Sequence, residues 1–128
     1  MTAVVNYALH LLTAGLLVAV FFMIYTWVTP YNEIALIKAG NPAAALSLGG
    51  ALIGFSLTVA SGILHSSALR DFVAWSAGAA LVQVGAYIIT TRLMRTSKDQ
   101  IEAGNVAFGG ALAAISVSVG AINAACLS

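Results

Sequence analysis

His10, His65 and Cys126 are the residue types in this chain that could bind a transition metal, since two imidazoles and a thiolate make a plausible ligand set. Their positions place all three toward one side of the layer the chain would cross, with Asp71 near them in depth. Residues at one depth can still face different ways around their helices. Interfacial histidines and a small buried thiol are the competing reading, so no metal or cofactor is assigned. Gln83 sits in the middle of an apolar run, where its amide needs a partner or water. It would serve either as an interhelical hydrogen bond or as a lining group of a wet pathway. Ser47, Ser56, Thr58, Ser61, Ser116, Ser118 and Asn123 offer further polar groups, although serine and threonine in apolar helices usually bond their own backbone. Glu33 and Lys38 flank a short amphipathic stretch, read either as a surface ion pair or as a ring of charge at a mouth. There is no glycine-rich phosphate loop, no carboxylate pair within an apolar run and no Ser/His/Asp arrangement, which argues against an enzyme.

Elements long enough to position these groups follow from composition. The 128 residues are 61% hydrophobic and 7% charged, with mean hydropathy +1.00, too little polar surface for a water-soluble domain. A net charge of +1 leaves no basic face for nucleic acid. Cys126 alone excludes an internal disulfide. Membrane lipid is the expected surroundings. Crossing a bilayer takes about 20 apolar residues, and such runs fall at Tyr7 to Trp27, Ala43 to Leu64, Phe72 to Leu93 and Asn105 to Leu127. The first run is longer than a signal-peptide core and lacks a basic start, so it is read as retained. The first and third connections carry Lys38, Arg92, Arg95 and Lys98, against Arg70 in the second. That asymmetry predicts cytoplasmic longer connections and both termini outside.

The first connection is Thr29-Pro30-Tyr31-Asn32-Glu33-Ile34-Ala35-Leu36-Ile37-Lys38-Ala39-Gly40-Asn41-Pro42. Thr29 and Pro30 predict the start of a short interfacial helix over Tyr31 to Ala39, with Glu33 in its first turn. Gly40 predicts a left-handed stop, and Asn41 with Pro42 starts the next helix. Displacing the chain by half its length aligns Ile37-Lys38-Ala39-Gly40-Asn41-Pro42-Ala43 with Ile101-Glu102-Ala103-Gly104-Asn105-Val106-Ala107 without a gap. Ser97-Lys98-Asp99-Gln100 reads as a capping box before the second short helix. The predicted fold is therefore all-α: four transmembrane helices as two same-orientation hairpin repeats, residues 1–64 and 65–128.

Spans one and three carry Phe21, Phe22, Tyr25, Trp27, Phe72, Trp75 and Tyr87, expected to face lipid and anchor at the interfaces. Spans two and four carry small residues at helical spacing, including Gly50-Ala51-Leu52-Ile53-Gly54. Small faces let backbones approach within the monomer or between subunits, and a homo-oligomer is expected.

The block from Thr29 to Gly54, with looser support from His65-Ser66, Trp75, Gln83 and Gly120-Ala121-Ile122-Asn123-Ala124-Ala125, resembles bacterial YjfL-like inner-membrane proteins. That resemblance covers nearly the whole chain. It implies a polytopic inner-membrane protein whose two-span unit is a domain of unknown function, sometimes encoded near PspA-like membrane-stress proteins and ATP-grasp ligases. It brings no catalytic residues. The family pattern has proline where this chain has Thr58, leaving a kink in span two without its proline.

Two functions fit. One is an oligomeric channel-like or small-solute or ion transport component, with Gln83, Ser47, Gly50, Gly54 and Asn123 as pathway or packing residues and Asn32, Glu33, Lys38, Asn41 and Asn105 around its cytoplasmic mouth. The other is a non-transporting scaffold whose cytoplasmic connections recruit an envelope-stress partner, with a PspA-like or ATP-grasp protein as the implied one.

Overall fold

The computed structural model describes residues 2–66, 68–94 and 97–127. Arg95, one of the residues that orient the chain, lies outside them. The described residues form six helices and no strand: α1 (Ala3–Val28), α2 (Glu33–Lys38), α3 (Pro42–His65), α4 (Leu69–Leu93), α5 (Ser97–Glu102) and α6 (Val106–Cys126). The all-α fold expected from composition is the one formed. Helices α1, α3, α4 and α6 are each long and apolar enough to cross a membrane. The first starts earlier than hydropathy alone suggests, because the Thr2 hydroxyl accepts from the Val5 N–H at 3.2 Å and caps it.

Local chemistry sets the joints. Gly40 and Gly104 adopt φ of +87° and +77°, and both follow a short helix. At each joint the glycine N–H and the following asparagine N–H return to helix carbonyls: Gly40 to Ile37 and Asn41 to Leu36, Gly104 to Ile101 and Asn105 to Gln100. These closures end a helix through a left-handed residue, which glycine adopts without strain. Asn41 and Asn105 then cap α3 and α6, each side-chain oxygen accepting a backbone N–H at 3.1 Å.

Two expected starts differ. The first short helix begins at Glu33 rather than Tyr31, because Asn32 is its cap and accepts from the Ala35 N–H. Thr29 instead closes α1, its hydroxyl donating to the carbonyls of Thr26 and Tyr31. Ser97 is no N-cap acceptor: α5 begins with it, and its hydroxyl donates back to the Met94 carbonyl at 2.7 Å.

Helices α3 and α6 run in the same direction and meet along their length. A methyl added to Gly50 would strike Ala113, one on Gly109 would strike Ala43, and one on Gly120 would strike the Gly54 backbone. The fourth helix packs on both, and α1 lies against α3 and α4 as the least buried of the four. The apolar core fills the angle between them with Phe21, Tyr25, Leu48, Phe55, Val59, Phe72 and Tyr87. Phe21 and Phe55 stack at 4.4 Å. This corrects the expectation that the aromatics of spans one and three face lipid. Trp27 and Trp75 do face outward, at 85% and 62% exposure, while Phe21, Tyr25, Phe72 and Tyr87 turn in. Small residues on α3 leave the depth those rings need.

Candidate functional site

The first and third connections meet at one end of the bundle. Besides capping α3, Asn41 donates from Nδ2 to the Ile101 carbonyl at 2.7 Å, tying the end of one short helix to the other. Beneath this tie, Tyr31 packs with Ala43, Ala44, Ile101 and Leu112.

Pro30 is what aims the site. Its ring ends α1, the chain reverses over Thr29 to Asn32, and Tyr31 and Glu33 swing back into the bundle. Tyr31 is 5% exposed and Glu33 only 1%. The Tyr31 hydroxyl lies 3.2 Å from that of Tyr87 on α4, and the Tyr25 hydroxyl on α1 lies 3.1 Å from Ser47 on α3. The rings of Tyr25 and Tyr87 pack edge to face at 4.9 Å. Thus α1, α3, α4 and the first connection each bring one hydroxyl to a common place. Glu33 lies within electrostatic reach of all three phenols.

Neither Glu33 carboxylate oxygen has a formed hydrogen bond to the described residues. Burial pushes its pKa up to about 8, an effect that the nearby Tyr31 hydroxyl partly offsets. Burial likewise raises Tyr31, and the neighbouring Glu33 charge adds to that. At neutral pH the site therefore holds a protonated acid, able to donate as well as accept. A cavity of about 500 Å³, lined by Thr26, Thr29, Pro30, Tyr31, Asn32, Glu33 and Ile34, opens beside it.

The other sequence-derived candidates scatter. Lys38 is exposed and makes no ion pair with Glu33, which corrects the surface-pair reading: five residues apart on a helix, the two point to different sides. Asn32 and Asn105 are exposed caps at the same end, with Asn105 also donating to the Gln100 side chain at 2.7 Å. Ser47 joins the tyrosine cluster. Gly50 and Gly54 are packing positions against α6. Gln83 is buried and donates to the Ser116 carbonyl at 2.8 Å, its own side-chain oxygen left unpaired. Asn123 donates to the Ala79 carbonyl, Thr58 to Gly120 and Ser61 to Ala124. Each links one helix to another, so these groups bind the bundle together. His65 and Cys126 line one cavity of about 160 Å³ with Trp75, whereas His10 stacks on Phe72 and lines a separate one. No group of three metal-binding side chains gathers among the described residues.

What sequence reasoning missed is the depth of Glu33 and the tyrosines around it. The signal that could have found them is Pro30 followed by Tyr-x-Glu: a forced reversal whose next alternate residues return to the side the chain came from.

Among known proteins, a family model described as Domain of Unknown Function (DUF350) matches residues 1–127. The chain is 30% identical over 112 residues to the UPF0719 inner membrane protein YjfL of Escherichia coli (strain K12), an alignment spanning 88% of this chain and 85% of that one. The protein of the same name from Escherichia coli O157:H7 matches with the same identity and coverage. No solved structure matches.

Proposed function

The chain belongs to the DUF350 family and is a multi-pass inner-membrane protein, and from that premise we propose that it is an ion or small-solute transport component built from several copies, with Glu33 as its cargo-binding group. One observation carries the reading: a carboxyl group 1% exposed, with no counter-charge and no formed hydrogen bond among the described residues, beside an open cavity at the end of the bundle. Keeping such a group buried opposes folding, so a site that retains it gains something else from it. Gln83, Thr58, Ser61 and Asn123 already bridge helix to helix, which directs any route to the boundary between copies. The positive-inside rule applied to Lys38, Arg92, Arg95 and Lys98 supports a cytoplasmic Glu33 end with both termini periplasmic. Cation flux into liposomes tests this: it is expected for the native chain and Gln83→Leu and lost in Glu33→Gln. Native flux in Glu33→Gln sinks the reading.

A scaffold is the second reading, favoured by the tie between Asn41 and Ile101 that makes one platform of the two connections. Exposed Asn32 and Lys38, rather than Glu33, would then dock a cytosolic partner of the PspA-like or ATP-grasp kind. Capture of that partner, abolished by Lys38→Glu and unaffected by Glu33→Gln, would favour it.

A further inference from the structure

We propose that Glu33, Tyr25, Tyr31, Tyr87 and Ser47 form a binding site for one small monovalent cation, which competes with a proton for the Glu33 carboxylate. This rests on the reading of Glu33 as the cargo-binding group and names the cargo's chemistry.

The donor set is all oxygen: one carboxylate, three phenols and one alcohol. Hard cations take oxygen ligands, while the softer transition metals take nitrogen and sulfur as well. The charge of the set is a single negative, so a monovalent ion neutralises it, whereas a divalent ion would leave a net positive charge buried. The hydroxyls have capacity to spare. Two contacts, Tyr25 with Ser47 and Tyr31 with Tyr87, use two of the four hydroxyl protons, leaving lone pairs for a cation and protons for the carboxylate.

No basic group takes the place of that cation among the described residues. Tyr25 on α1, Tyr87 on α4 and Tyr31 in the first connection lie within electrostatic reach of Glu33, and Ser47 on α3 joins them through the Tyr25 hydroxyl. Lys38 on α2 is exposed, and Lys98 on α5 is held by Glu102 at 3.1 Å. The carboxylate oxygens are thus the unsatisfied acceptors of a buried site, and Glu33 and Tyr31 also line the cavity beside it. Since burial holds the proton on Glu33 to about pH 8, a cation binds by displacing it.

Infrared difference spectroscopy on the full chain in lipid nanodiscs tests this directly. The protonated carboxyl stretch of Glu33 is identified by its loss in Glu33→Gln and titrated in sodium, potassium or ammonium chloride, against N-methylglucamine chloride at equal ionic strength. The expected midpoint near pH 8 in N-methylglucamine falls, for the cation that fits, by about one pH unit per tenfold rise in concentration above its dissociation constant. Tyr87→Phe keeps the carboxyl band and weakens the cation dependence. A midpoint identical in all four salts overturns the cation site, as does the absence of any Glu33 carboxyl band. Liposome flux separates this from the transport reading: a salt-dependent midpoint without flux keeps the site and rejects transport, and flux without a salt-dependent midpoint does the reverse.

Discussion

A carboxylic acid removed from water keeps its proton longer than one left in it, and the burial of Glu33 thereby ties the stability of the bundle to pH. Unfolded, Glu33 would ionise near 4.5; folded, it holds its proton to about 8. Between those values the folded chain binds more protons than the unfolded one, so stability falls as pH rises, by about 1.4 kcal/mol per pH unit. Below the window there is no difference, and above it the full penalty remains. Thermal unfolding in detergent is therefore expected at falling temperatures from pH 5 toward pH 8, with Glu33→Gln flat across the same range. An equally flat native chain would mean that Glu33 is wetter than its 1% exposure implies. Gln83 calls for a smaller change. Its amide joins α4 to α6, and such bonds in membrane bundles contribute about 0.6 kcal/mol, so Gln83→Leu is expected to shift unfolding slightly. The composition of the acid site is legible in the sequence only in part. Glu33 stands out beside Pro30, but Tyr25, Tyr31, Tyr87 and Ser47 come together from four separate stretches, and no local pattern pairs position 31 with position 87.

Helix ends are the most legible elements, since capping is decided within a few residues. Gly40, Asn41, Gly104 and Asn105 do what their types suggest, whereas α2 starts later than expected because Thr29 and Asn32 are both competent caps. Which way the aromatics point is not legible: Phe21 and Tyr25 are four apart and share a face, yet whether that face meets lipid or α3 depends on neighbours far along the chain. The glycines of α3 and α6 give a sharp test. Alanine at Gly54 or Gly120 places a methyl against backbone of the other helix, and overpacking of that kind costs about 1–3 kcal/mol. Alanine at Gly49 or Gly110 meets nothing within 4 Å. Resistance of the purified chain to heat or denaturing detergent is expected to drop for the first pair and hold or rise for the second. Asn41→Ala is expected to be worse than Asn105→Ala, since Asn41 both caps α3 and reaches across to Ile101, while Asn105 bonds within its own joint.

For the whole molecule, the contact between residues 41 and 101 puts the first and third connections at one end. In a Cys126→Ser background, cysteines placed at Lys38 and Lys98 are thus expected to label from the same side of the membrane. Labelling from opposite sides would be incompatible with this bundle. The positive-inside argument further expects that side to be cytoplasmic. The interlocked glycines also remove axial play from the central pair, because sliding α6 along α3 would drive Ala43, Ala113 or Ser116 into backbone that has no room for them. A bilayer thicker or thinner than the bundle must then be met by tilt of the outer helices. Those helices carry Tyr25 and Tyr87, whose rings meet edge to face at 4.9 Å, so a tilt imposed by lipid chain length is expected to be taken up first at that aromatic contact.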